Sequence, residues 1–392
     1  MATDKKGRQL PKGIMQTKDG LYRTQIMVEG ERYYFNSRSL EELKATVIQK
    51  RAEIANGTYH KEKAITVKKW FETWLKEYKT DLKESTVAVY EEVFKNCIEK
   101  EIGTKKINSV KSENLQHLIN SLVQNGISYK RVSLVYIILN GIFSQAKKLR
   151  YINVNPMADK AVTLPPKKRF KEREYKQGSR MIVMDQQQKD LFLKYSEGSS
   201  YRGIYIFMLN TGTRLGEATG LQWSDVDFQK REIRITHALT HIKGKGRFLS
   251  TTKTESSERT LPMTNTLYEL LKRIRVEQTK NRSMMGSSWK EEPNLPNMVF
   301  THAEGGAYWE SCIRDDMTKI SNRIIKDGHN FTRITPHTFR HTFATLGLRN
   351  GIQPKVMQKL LGHSSIKVTL DIYASVLKDD LTESMNLIEA VM

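Results

Sequence analysis

Apolar and polar positions alternate with a period of two near the N-terminus, in Leu21-Tyr-Arg-Thr-Gln-Ile-Met-Val28 and in Arg32-Tyr-Tyr-Phe35, with Glu29-Gly-Glu31 between them. That period puts successive side chains on opposite faces of a strand, so the stretch predicts a hairpin. A third strand is expected near residues 13–16, ahead of the Lys18-Asp-Gly20 turn. Ser39, with Glu42 three residues on, reads as a capping box that opens a helix with Leu43, Val47 and Ile48 on its apolar face. After a break at 57–64 the period lengthens: Val67, Trp70, Phe71, Trp74, Leu75 and Tyr78 recur at helical spacing. Ser85 is expected to cap a helix through Tyr90, Val93, Phe94 and Ile98; Ser112 one through Leu115, Leu118, Ile119 and Leu122; Ser128 one through Val132 to Phe143. Four such helices make a bundle.

Beyond the bundle, Asp159 to Arg180 holds eight Lys or Arg against three acids and reads as a basic linker. Helical patterns return with Asp185 as a cap before Leu191, Phe192 and Tyr195, and then Ile204 to Leu209. Val226 to Thr236 alternates as a strand with Ile233 and Ile235 on one side, and two more strands should flank a tip between Lys243 and Glu258. A helix over Leu267 to Val276, a short strand at Val299-Phe300 and a mostly helical remainder complete the pattern, with Trp74, Trp223 and Phe339 as core residues. The expected fold is multidomain and mainly α. A small sheet plus helix spans 1–60, a helical bundle 64–158, a linker 159–180, and a mixed α/β, mainly helical domain 181–392.

Charge narrows the function. With 65 Lys and Arg against 43 Asp and Glu the formal charge is +22, which points to a polyanion, nucleic acid first. Lys18, Arg23, Arg32 and Arg38 around the sheet, and Lys167, Lys168 and Arg169 in the linker, are the candidate DNA contacts. Cys97 and Cys312 form no C-x-x-C pair, in keeping with a reducing compartment. No run of eighteen apolar residues and no apolar leader at Met1 to Arg8 argue against a membrane, so a cytoplasmic protein is expected. No Walker loop occurs, and the paired histidines His337/His341 and His237/His241 lack the Glu of a zinc protease motif, so neither nucleotide hydrolysis nor a metal is expected.

The chemistry lies near the C-terminus. His337 stands three residues before Arg340 in Thr335-Pro-His-Thr-Phe-Arg-His-Thr-Phe-Ala344, so on a helix both face one object. Leu360-Leu-Gly-His-Ser-Ser365 brings His363, and Leu370-Asp-Ile-Tyr-Ala374 brings Tyr373. A guanidinium fork matches two phosphate oxygens, imidazoles can donate to the same group, and a tyrosine completes a phosphoryl-transfer set.

These residues resemble the signature of the tyrosine recombinase family, also called phage-type integrases: His-x-x-Arg, then Leu-Gly-His, then a nucleophilic Tyr. Thr211-Gly-Thr-Arg-Leu-Gly-Glu-Ala218 with Leu221-Gln-Trp-Ser-Asp-Val-Asp227 resembles the family's first arginine box. The resemblance implies that Arg214 and Arg340 clamp a DNA phosphate, that His337 and His363 bond its oxygens or manage the tyrosine proton, and that Tyr373 attacks it to form a 3′-phosphotyrosyl bond. Lys253, in Thr252-Lys-Thr254 before Ser257-Glu-Arg-Thr-Leu-Pro262, matches the family's proton donor, and Glu217 its supporting acid. It further implies an arm-DNA-binding N-terminal domain, a core-binding bundle, a tail at 376–392 that docks in trans, and a homotetramer on double-stranded DNA. No cofactor is implied, and an excisionase and a DNA-bending protein join the expected partners. The layout is similar to integrases of conjugative transposons and temperate phages, in a bacterial, nucleoid-associated setting. A type IB topoisomerase-like or resolving enzyme, and a non-enzymatic architectural DNA binder, remain open beside this reading.

Overall fold

The computed structural model describes residues 3–5, 7–28, 31–55, 65–167, 170, 182–251, 258–377 and 389, in two compact units, Met1–Gln177 and Gly178–Met392. The first unit opens with the antiparallel sheet β1 (Ile14–Gln16), β2 (Tyr22–Val28) and β3 (Glu31–Ser37), in that order, and α1 (Leu40–Ala55). Leu10, Ile14, Tyr22 and Leu43 are buried together, with Phe35, Leu40 and Val47 packed on them. Ile48 is 71% exposed, so the apolar face of α1 is narrower than expected. The capping box is also altered: the Glu42 carboxylate accepts from the Ser37 hydroxyl at 2.9 Å, not from the Ser39 amide. Register sets Arg23 opposite Asn36 and Met27 opposite Arg32, so both arginines stand on the sheet's solvent face, where Arg23 donates to Asn36 Oδ1 at 3.0 Å. Lys18 and Arg38 are exposed at its margins.

The bundle follows: α2 (Val67–Tyr78), α3 (Glu84–Val93) running on as a π-helix over Phe94–Gly103, α4 (Ser112–Gln124) and α5 (Tyr129–Lys148). Val67, Trp70, Phe71, Trp74 and Leu75 are buried on one stripe of α2, and Phe71 stacks on Phe94 with centroids 3.9 Å apart. Ser128 caps α5 by accepting from the Arg131 amide, as expected. Ser85 and Ser112 do not cap. Lys83 and Lys111 hold the extended cap positions, Asn114 accepts from the Lys111 amide, and the Ser112 hydroxyl donates to Pro156 O at 2.8 Å. The chain also stays on the bundle past residue 159, because Val162 and Phe170 are buried in its core and Gln116 accepts from the Thr163 amide at 2.7 Å. Lys167 is exposed, while Lys168, Arg169 and the expected break at 57–64 lie outside the described residues.

The second unit is mainly helical: α6 (Gln186–Tyr195), α7 (Arg202–Thr211), α8 (Leu215–Thr219), α9 (Asn265–Met285), α10 (Glu310–Lys326), α11 (Pro336–Arg349), α12 (Pro354–Leu361) and α13 (Ile366–Leu377). An antiparallel sheet of β4 (Val226–Asp227), β5 (Glu232–Ile235) and β8 (Arg259–Pro262) lies beside a separate hairpin, β6 (His237–Ile242) and β7 (Gly246–Thr251). The strand expected over 226–236 is broken because Asp227 Oδ1 accepts from the Gln229 and Lys230 amides and Arg231 takes a left-handed φ of 54°. Val299-Phe300 forms no strand: the bridges on either side, Gln222 to Met298 and Thr301 to Ala307, have different partners and make no ladder. α9 outruns its apolar stripe, since Gln278 accepts from Trp223 Nε1 at 2.6 Å and donates to Met298 O at 2.9 Å. Phe192, Tyr205, Phe207 and Phe339 are fully buried at its centre. Phe339 meets Phe192 edge-on at 5.3 Å, which fixes α11 and with it the neighbouring Arg340. No described helix is long and apolar enough to cross a membrane.

Candidate active site

The site grows from the end of α7. Gly212 takes a left-handed φ of 63°, and a Cβ there would lie 2.5 Å from the Phe343 ring, so glycine alone fits the turn. Thr211 Oγ1 donates to Phe207 O at 2.8 Å and therefore accepts from Thr213 Oγ1 at 2.9 Å, which stiffens the bend that delivers Arg214. Arg214 stands at the N-cap of α8. Glu217, one turn on and buried, accepts from the Arg214 amide at 3.0 Å and from its Nη1 at 2.6 Å. The same carboxylate takes Nη2 of Arg259, the first residue of β8, at 2.8 Å. About two fifths of the Arg214 side chain stays exposed, whereas that of Arg259 is sealed in.

Arg340, buried on α11, donates Nη1 to Gly212 O at 2.8 Å and Nη2 to Leu361 O at 2.7 Å. It thereby ties the turn before Arg214 to the C-terminus of α12. Two of its five N–H donors are used in these bonds, leaving others for a ligand. Gly362, left-handed at φ 65°, ends α12 and turns the chain so that His363 is buried against α13. There His363 Nδ1 and Thr369 Oγ1 bond at 2.9 Å. His337, in the first turn of α11, is exposed, with its ring 6.4 Å from that of His341.

Residues 183–379, half of the chain, match the phage integrase family, and residues 66–123 match the phage integrase N-terminal SAM-like domain. The chain belongs to the phage integrase family. A tyrosine recombinase XerC-like protein of Caldanaerobacter subterraneus is 28% identical over 346 residues, covering 85% of this chain and 86% of its own. The transposase from transposon Tn916 of Enterococcus faecalis is 25% identical over 298 residues, covering 72% of this chain and 68% of its own. The Tn1549 transposon integrase, solved in complex with transposon right end DNA, superposes with a TM-score of 0.66 at 23% identity, covering 83% of this chain and all of that one. A lambda integrase tetramer bound to a Holliday junction gives 0.51 at 16% identity over 93% of this chain and 95% of that one, a likeness of fold. The integrase is thus a tyrosine recombinase, laid out like those of conjugative transposons.

Clustered cations set the protonation of the integrase site. Burial, with Arg214 and Arg259 adding to it and Glu217 opposing, lowers Arg340 to about 9, so it stays charged at neutral pH. Burial would raise Glu217, but Arg259 and Arg214 outweigh it and hold the carboxyl below its ordinary value. Burial, then Arg340, Arg214, Arg259 and His341, push His363 down to about 4. On the packed side of His337, lost hydration and then Arg340, Arg314 and Arg214 hold that imidazole low as well. His363 is therefore neutral when folded, while unfolded it binds a proton below about 6.5. Stability from this site is present above that value and is lost as pH falls toward 4. Between pH 7 and 5 urea denaturation should lose about 2 kcal/mol more for the wild type than for His363→Gln; equal losses would contradict the placement.

The structure bonds Arg214 to Glu217 and ties Arg340 to the turn before Arg214 and to the end of α12, just before His363, while the charges of Arg340 and Arg214 act on both His363 and His337. Lys253 falls within 252–257, outside the described residues, between β7 and β8. Tyr373 belongs to α13 by its backbone, and its side chain lies outside the described set. Two residues that bond these groups escaped sequence reasoning, Arg259 on Glu217 and Thr369 on His363. Arg259 sits two residues before Leu261 on an alternating strand, so its inward direction was open to inference.

Proposed function

We propose that the chain is the integrase of a bacterial mobile element, cutting and rejoining double-stranded DNA through Tyr373. One observation carries the reading. Arg340 is buried and bonded to Gly212 O and Leu361 O, and the histidine that follows α12 is bonded to Thr369, one helical turn before position 373. Preorganised cations beside a candidate nucleophile are what transfer of a phosphodiester requires. Arg214 and Arg340 hold the two non-bridging oxygens. With Nδ1 of His363 engaged by Thr369, Nε2 is left for the phosphate, and His337 bonds it from the first turn of α11. The Tyr373 hydroxyl loses its proton and attacks phosphorus, the bond to the 5′ oxygen breaks, and Lys253 protonates that oxygen. A 5′ hydroxyl from the partner strand reverses the step, so the linkage needs no nucleotide cofactor.

On this reading four copies act on element ends and target, with Lys18, Arg23, Arg32, Arg38 and Lys167 to Arg169 on phosphates and the tail from 376 docking in trans. The setting is the bacterial nucleoid, with an excisionase and a DNA-bending protein as further partners. The test mixes two labelled duplexes, one carrying the joined element ends and one the target. Exchange of flanks supports the proposal. Relaxation of supercoiled plasmid without exchange would make the enzyme topoisomerase-like, and specific binding with neither would make it architectural.

A further inference from the structure

We infer that Arg259 is a positioning residue for strand cleavage, setting His363 in place and keeping Glu217 from neutralising Arg214. The inference rests on the cleavage reading above. Arg259 cannot itself reach DNA: its side chain is 6% exposed, with Nη2 on Glu217 at 2.8 Å and Nε on Leu360 O at 2.7 Å.

The second bond carries the argument. The last carbonyls of a helix have no amide partner within it. At the end of α12, Leu360 O is taken by Arg259 and Leu361 O by Arg340, two successive carbonyls held by two guanidiniums. Gly362 and His363 come next in the chain, so the position of His363 depends on both arginines. Arg259 also meets the Glu217 carboxylate, whereas Arg340 bonds the backbone oxygens of Gly212 and Leu361.

Charge gives Arg259 its second task. Glu217 is bonded by both Arg214 and Arg259, so the trio keeps one net positive charge. Without Arg259 the carboxylate would cancel Arg214, a residue assigned to the phosphate. The groups facing His363 are Arg340 and His341 of α11, Arg214 before α8, Arg259 of β8 and Thr369 of α13. Removing one cation from that set lets the imidazole titrate at higher pH. Arg259 also pairs with Ile235 in the sheet and so anchors the far end of the segment that contains Lys253. A lysine could keep the charge, but its single ammonium lacks the planar fork that serves Glu217 and Leu360 O together.

The experiment uses the full-length chain, Arg259→Gln and Arg259→Lys on a nicked suicide duplex under single turnover. DNA binding and the NMR titration of the His363 imidazole are measured alongside. For Arg259→Gln we expect binding within about threefold of wild type, cleavage slower by on the order of 100-fold, and a His363 titration moved to higher pH. Arg259→Lys should regain about tenfold of that rate. A cleavage rate that falls only as far as binding or the folded fraction falls, with His363 unmoved, would overturn the inference. Should Arg259→Gln not fold, Arg259→Lys decides, because a wild-type rate there would overturn it as well. If wild type forms no covalent adduct, the cleavage reading fails instead. The His363 titration, which needs no DNA, then still decides where Arg259 acts.

Discussion

Tyr373→Phe is expected to bind element-end DNA within about twofold of wild type and to lose covalent attachment by about 10⁴-fold or more, the scale seen when a nucleophile is removed. The substitution deletes one oxygen from α13 and leaves the helix, the cations and the fold in place. A free tyrosine hydroxyl titrates near 10, so it attacks slowly unless cations favour its ionised form. In the proposed mechanism Arg340 and Arg214 supply that field, the same two charges that lower the neighbouring His363. Adduct formation by the phenylalanine variant at a rate near wild type would place the nucleophile elsewhere. The readout is a denaturing gel with DNA binding measured in parallel.

The second large effect is on stability. Glu217→Ala removes a buried carboxylate that Nη2 of the sealed Arg259 guanidinium bonds at 2.8 Å. Removing one member of a buried pair costs about 3–5 kcal/mol, because the remaining charge is left uncompensated. Glu217→Gln, which keeps an acceptor oxygen, should cost less. Urea denaturation at neutral pH gives both values, and a loss below about 1 kcal/mol for Glu217→Ala would mean that Arg259 is not held as described. The carboxyl's depressed titration carries a sign: its contribution is full above the ordinary carboxylate range and is lost as pH falls through the lowered value.

The parts of this architecture that were legible in the sequence are those written in local periodicity. The aromatic stripe of α2 and the alternation of β2 and β3 each follow from residues a few positions apart, and both formed as expected except that Tyr78, at the end of the stripe, is exposed. The helix that carries both His337 and Arg340 also formed as expected, with Arg340 buried and His337 exposed. What escaped depends on partners distant in sequence. Arg259 finds Glu217 forty-two residues away and Leu360 a hundred and one away, distances to which no periodicity is sensitive. Ser112 looked like a cap because its hydroxyl suits that role, but Pro156 O claimed it. The strand at 226–236 broke because a side chain, Asp227, offered the backbone a turn. Val299-Phe300 has strand composition yet lies between single bridges to different partners.

The most direct measurement is to trap the covalent complex on a nicked suicide duplex, digest protein and DNA, and locate the linkage by mass spectrometry. The mechanism argued above predicts a 3′-phosphate joined to the oxygen of Tyr373. Attachment at any other residue, a link to the 5′ end, or no link from wild-type protein bound to its site would contradict it.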